Sequence, residues 1–118
     1  MKILIVDDAK FSRTMIREIA LEKGYSIVGE AENGNEAVQL YKEFIPDVVT
    51  MDITMPDMNG HEAIKQIIEF DANANIIIVS ATKQKTSIVK GIKAGAKNFV
   101  IKPFEPWHLI ETINEVIK

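Results

Sequence analysis

Ile3-Leu4-Ile5-Val6-Asp7-Asp8 passes from four apolar residues straight into two carboxylates. A continuous, mostly β-branched run of this length is what a strand buried on both faces looks like. Comparable runs recur every twenty-odd residues: Ile27-Val28, Val48-Val49-Thr50-Met51, Ile76-Ile77-Ile78-Val79 and Phe99-Val100-Ile101. The segments between them have helical period. Phe11, Met15 and Ile19 form one stripe with Ile16 and Ala20 beside them, and Ala37, Leu40, Tyr41 and Phe44 form a second. Ala63, Ile64, Ile67 and Ile68 make a third, Ile88, Val89 and Ile92 a fourth, and Leu109, Ile110, Ile113, Val116 and Ile117 a fifth. Gly24 stops the first helix, Asn33-Gly34 opens the second, Pro46-Asp47 precedes the third strand and Gly95 ends the fourth helix. Strands alternating with helices imply right-handed crossovers and a parallel sheet covered on both faces. The expected fold is α/β: a flavodoxin-like, doubly wound five-stranded parallel sheet with five helices, in one domain over residues 1–118.

Composition narrows the function classes. The chain has 118 residues, of which 47% are hydrophobic, enough for one domain with a core. A net charge of −3 argues against a general nucleic-acid binder. The absence of cysteine excludes disulfides, thiolate metal sites and cysteine nucleophiles. The longest apolar runs are too short to span a membrane or to serve as a signal peptide. The expectation is a soluble, cytoplasmic monomer.

In such sheets ligands bind outside the carboxyl ends of the strands. Asp7-Asp8 follow the first strand, and Asp52 follows the third, ahead of Ile53-Thr54-Met55-Pro56. Ser80-Ala81-Thr82 follow the fourth, and Lys102-Pro103-Phe104 the fifth. Three carboxylates, a hydroxyl and an ammonium therefore meet on one rim. Clustered carboxylates repel one another unless a hard divalent cation shares them, and Mg2+ takes one or two carboxylates, a carbonyl and several waters. Lys102, Ser80 and the metal could each hold one oxygen of a phosphoryl group. The remaining direction at phosphorus then points to a nucleophile, and Asp52 sits mid-rim; the product would be an aspartyl phosphate.

The pattern resembles the response-regulator receiver domains, and within them the single-domain chemotaxis regulators of the CheY type. The residues carrying the resemblance are Ile5-Val6-Asp7-Asp8, the stretch from Asp47 through Asp52 to Asn59-Gly60, Val79-Ser80-Ala81, Gly91 to Ala96, and Lys102-Pro103-Phe104. The match as a whole runs in order from residue 2 to residue 117. The resemblance implies a phosphorylation-activated switch of a two-component system, with Asp52 as phosphoacceptor. It implies Mg2+ held by Asp7, Asp8, Asp52 and the backbone carbonyl of Thr54, and phosphoryl oxygens bound by Ser80 and Lys102. It also implies a cis Lys102–Pro103 bond and a sensor histidine kinase as phosphodonor, the regulator itself catalysing the transfer. Thr54 and Thr82 would flank the path of hydrolytic water and tune dephosphorylation. Phe99 stands where many relatives carry Tyr, so ring burial can operate in the switch but a phenolic hydrogen bond cannot. Without that hydroxyl, Phe99 should favour the inward state more than Tyr would, even before phosphorylation. Ser80 replaces the commoner Thr and keeps the hydroxyl.

Between Lys83 and Lys102 lie six lysines and no acid, which leaves −9 for the rest of the chain. Such asymmetry favours a docking surface for an acidic partner. Lys83, Lys85, Lys90, Lys93, Lys97 and Trp107 are assigned to it, on the face of the fourth helix, last strand and last helix, with a downstream target such as a flagellar switch. His61 and His108 lack partners at ligand spacing and read as surface residues. A phosphorelay intermediate outside chemotaxis is the alternative role. A haloacid-dehalogenase-type phosphatase shares the strand-end Asp nucleophile but typically wants an acid where Thr54 stands. A flavodoxin-type cofactor binder would find Asp7-Asp8 repelling its phosphate.

Overall fold

A computed structural model describes residues 1–53, 60–81 and 85–117. Strands and helices alternate: β1 (Lys2–Val6), α1 (Lys10–Glu22), β2 (Ser26–Ala31), α2 (Gly34–Phe44), β3 (Val48–Asp52), α3 (Gly60–Phe70), β4 (Ile76–Ser80), α4 (Lys85–Ala94), β5 (Asn98–Ile101) and α5 (Pro106–Val116). The sheet order is β2-β1-β3-β4-β5 and every pairing is parallel. The order reverses between β1 and β3, which puts the crevice over the carboxyl ends of those two strands.

Side chains along each central strand alternate between two cores. Leu4, Val6, Val49, Met51, Ile76 and Ile78 pack with Ala37, Tyr41, Ile64, Ile67 and Ile88 on the side of α2, α3 and α4. Ile3, Ile5, Val48, Ile77 and Val100 pack with Ile16, Ala20, Leu109 and Ile113 on the side of α1 and α5. Burial on both faces is why the strands read as continuous apolar runs.

Asn33 caps α2 by accepting the Glu36 amide at 2.9 Å, while Glu36 Oε1 accepts the Glu32 amide at 2.8 Å. Gly95 ends α4 with φ +129°, where a side chain would be strained and would also meet Ile68. At Gly60 a Cβ would come within 2.6 Å of the Asp52 carbonyl, so only glycine lets α3 start against the end of β3.

Three helices bury part of their apolar stripes and leave the rest outside the core. In α1 the buried residues are Arg13, Ile16 and Ala20, and Phe11 is 82% exposed. In α4 they are Ile88 and Gly91, leaving Val89 half exposed and Ile92 on the surface. Phe44, at the end of the α2 stripe, is also exposed.

Tyr41 closes the core at the far end of α2, its hydroxyl donating to Asp71 Oδ2 at 2.7 Å. Burial, reinforced by Asp71, pushes the phenol well above its ordinary value near 10. The folded state therefore keeps Tyr41 neutral where the unfolded chain ionises it, so its contribution is intact below pH ~10 and is lost as pH rises beyond that. Tyr41→Phe is expected to cost about 1 kcal/mol at neutral pH and to flatten the stability loss above pH ~10, checked by urea melts at pH 7 to 11.

Candidate functional site

Four strand ends deliver the rim residues. Asp7 follows β1, Asp52 closes β3, Ser80 closes β4 and Lys102 follows β5. Asp7, Asp52 and Ser80 are buried, whereas Asp8 is exposed. Asp7, Asp8 and Asp52 each offer a carboxylate oxygen within 4.8 Å of the others'. Lys102 Nζ lies 2.6 Å from Asp7 Oδ2 and 3.8 Å from Asp52 Oδ2 and donates to Ser12 Oγ at 3.1 Å. Asp52 stands opposite Val79 in the sheet register, one residue before Ser80. The Ser80 carbonyl accepts the Lys102 amide at 2.7 Å, which ties the last two rim positions together. The Lys102–Pro103 bond is cis.

Two buried carboxylates beside one open to water form a hard, oxygen-only donor set. That set suits a divalent cation that keeps part of its hydration. Lys102 reaches into the same space, so a cation and an ammonium can both face an anion arriving at Asp52.

Asp7 is held at every polar atom. Its amide donates to the Ala31 carbonyl at 3.0 Å, and its Oδ1 accepts the Ala9 amide at 2.9 Å. Its carbonyl accepts Arg13 Nη1 at 2.7 Å. Arg13 also meets Glu30 at 3.4 Å and Glu32 at 3.3 Å.

Residues 3–114 match the response regulator receiver domain. The chain belongs to that family. It is 54% identical over 117 residues to the chemotaxis protein CheY of Thermotoga maritima, covering 99% of this chain and 98% of that one. Identity to the chemotaxis protein CheY of Bacillus subtilis is 51% over 116 residues, covering 98% and 97%. A chain in the crystal structure of the CheX–CheY–BeF3–Mg2+ complex from Borrelia burgdorferi superimposes with a TM-score of 0.95 at 35% identity, over 100% of this chain and 90% of that one. As a receiver of the CheY type, this protein is a phosphorylation-activated signalling switch.

The structure brings together Asp7, Asp8, Asp52, Ser80 and Lys102 as the sequence suggests. Thr54, Thr82 and Lys83 lie outside the described residues. Phe99, on β5, is 42% exposed, so its ring stands outward in this structure. Trp107 lines a different groove from the one that Lys85, Lys90 and Lys93 line on α4. It is 63% exposed and lines a groove of about 780 Å³ between α1 and α5 with Ile19, Glu22 and Glu111. Lys97 Nζ donates to Asn75 Oδ1 at 2.6 Å near the amino ends of β4 and β5. His61 is not a plain surface residue, since its Nε2 sits 2.7 Å from the Ser87 carbonyl and joins α3 to α4.

Sequence reasoning missed Ser12 and Arg13. Arg13 precedes Ile16 by three positions and Ala20 by seven, on the buried phase of α1, and that spacing was its signal.

Removing Lys102 would leave the buried Asp7 carboxylate without its cation. Lys102→Met is expected to lower the unfolding free energy by about 3 kcal/mol in metal-free buffer. A saturating divalent cation should shrink that deficit, measured by urea melts with and without Mg2+.

Proposed function

We propose that Asp52 accepts a phosphoryl group from a phosphohistidine of a sensor histidine kinase, and that this receiver works as a chemotaxis regulator. The observation that carries the reading is the meeting of Asp7, Asp8 and Asp52 within 4.8 Å with Lys102 between two of them. Asp7, Asp8 and Asp52, with the Thr54 carbonyl outside the described residues, would hold Mg2+. That ion, when bound, supplies positive charge to the phosphoryl oxygens and offsets their repulsion by Asp52. In the transfer, an Asp52 carboxylate oxygen forms a bond to phosphorus as the histidine N–P bond breaks. The imidazole leaves with the bonding electron pair. Lys102 needs to move little from Asp7 to meet a phosphoryl oxygen, and the Ser80 hydroxyl can donate to another. The regulator thus catalyses only its own modification.

The output follows from β4 and β5. Drawing Ser80 toward a phosphoryl group vacates space under α4, and the exposed Phe99 ring can move in. Burying a Phe ring is worth about 1.5–3 kcal/mol at most, so phosphorylation biases the ring rather than locking it. The exposed side of α4 carries Val89 among Lys85, Lys90 and Lys93 around a shallow groove of about 490 Å³. Apolar floor and basic rim suit an acidic amphipathic segment of a target such as a flagellar switch protein. Relatives named chemotaxis protein CheY support this role.

With Mg2+ and acetyl phosphate the protein should gain one phosphoryl group by intact-mass measurement. Asp52→Asn should gain none, because an amide is not a competent nucleophile; equal uptake by the variant would overturn the assignment. Ser80→Ala should still be phosphorylated but lose most of the phosphorylation-dependent gain in target affinity, read by titrating the target against parent and variant.

A further inference from the structure

Asp8 is the one exposed member of the acidic cluster, and it sits where β1 has ended and α1 has not yet begun. Locally, Asp7 Oδ1 accepts the Ala9 amide, but the start of α1 offers nothing that holds the Asp7–Asp8 peptide itself. The N-cap residue is Ala9, which has no side-chain oxygen, and the first turn of α1 contains no acid. The fixing group comes from further along the helix. Arg13 Nη1 donates at 2.7 Å to the Asp7 carbonyl, which is the carbonyl of the Asp7–Asp8 peptide bond. The orientation of that peptide sets the angle between the two carboxylates. The remaining guanidinium nitrogens reach Glu30 and Glu32 at the end of β2, at 3.4 and 3.3 Å. The Arg13 side chain is buried, so these partners decide its position. A planar, multidentate guanidinium can serve one carbonyl and two carboxylates at once, which a single ammonium cannot do in the same geometry.

We infer that Arg13 is a positioning residue for the cation site. It holds the Asp7–Asp8 peptide in the orientation that turns both carboxylates toward Asp52, and it braces that peptide against the end of β2. The inference rests on reading Asp7, Asp8 and Asp52 as a Mg2+ site. Its consequence has a sign that simple electrostatics does not share. Deleting a positive charge near a cation site should tighten Mg2+ binding, whereas deleting a brace should weaken it.

The test compares parent, Arg13→Met and Arg13→Lys by Mg2+ binding isotherms and by amide hydrogen exchange in the metal-free protein. Arg13→Met should bind Mg2+ about tenfold more weakly despite the lost positive charge, the size of effect typical of a group that orients ligands without touching the metal. Arg13→Lys, which keeps the charge and is the variant to use if Arg13→Met does not fold, should also bind more weakly than the parent, though by less. Unchanged or tighter binding in the folded variants overturns the inference. The Ala9 amide, which donates to Asp7 Oδ1, should exchange faster in both variants without any metal. Unchanged Ala9 exchange overturns the brace. A parent that binds no Mg2+ overturns the metal reading alone, and the Ala9 amide then decides the role of Arg13.

Discussion

Two carboxylates cannot be kept at the dry end of a β-sheet without a cation beside them, and most of the rim follows from that requirement. Asp7 and Asp52 are both buried, and Asp8 adds a third negative charge within 4.8 Å. Lys102 answers from one side at 2.6 Å from Asp7. The stem of this lysine spans a real distance, since β1 and β5 are not neighbours and β3 and β4 lie between them. The ion pair therefore straps one half of the sheet to the other over the top of Asp52. A group that neutralises Asp7 at rest is thereby placed to meet an anion on Asp52 when one arrives. Structural balance and chemical readiness are the same contact.

The strap works because the strands beneath it are rigid. Each central strand is packed on both faces, so its carboxyl end has little freedom, and the side chain that follows inherits that order. Gly60 extends the effect by letting α3 press directly on the Asp52 carbonyl. The α4 side is less tightly built. It contributes Ile88 and Gly91 to the core and leaves Val89 and Ile92 at the surface. A rigid site beside a loosely held helix is the arrangement a switch needs, since modification must move something without disturbing its own geometry.

The elements that were legible from sequence are those where one physical rule dominates. Continuous β-branched runs mark doubly covered strands, and polar residues just after them mark the rim, so Asp7, Asp8, Asp52, Ser80 and Lys102 could be placed together without coordinates. Helix faces were harder, because apolar residues here are not always the buried ones. Phe11, Val89, Ile92 and Phe99 are exposed, while Arg13 goes inside because Asp7, Glu30 and Glu32 supply partners for its guanidinium. A hydrophobic stripe records where apolar side chains lie along a helix. It does not record which neighbouring backbone carbonyl waits for a donor. Trp107 lines a groove between α1 and α5, a contact its nearness in sequence to the lysine-rich segment did not suggest.

Trp107 is the only tryptophan in the chain. It stands five positions after Lys102, is largely open to water, and lies edge-on to His108 with ring centroids 5.5 Å apart. The protein thus carries a single indole fluorophore at the head of α5, in one solvent environment and beside one imidazole ring. Its emission comes from one place rather than from an average over several. Anything that covers the α1–α5 groove, or shifts the segment leading from Lys102 into α5, changes the surroundings of that one indole and can be followed by light without a label.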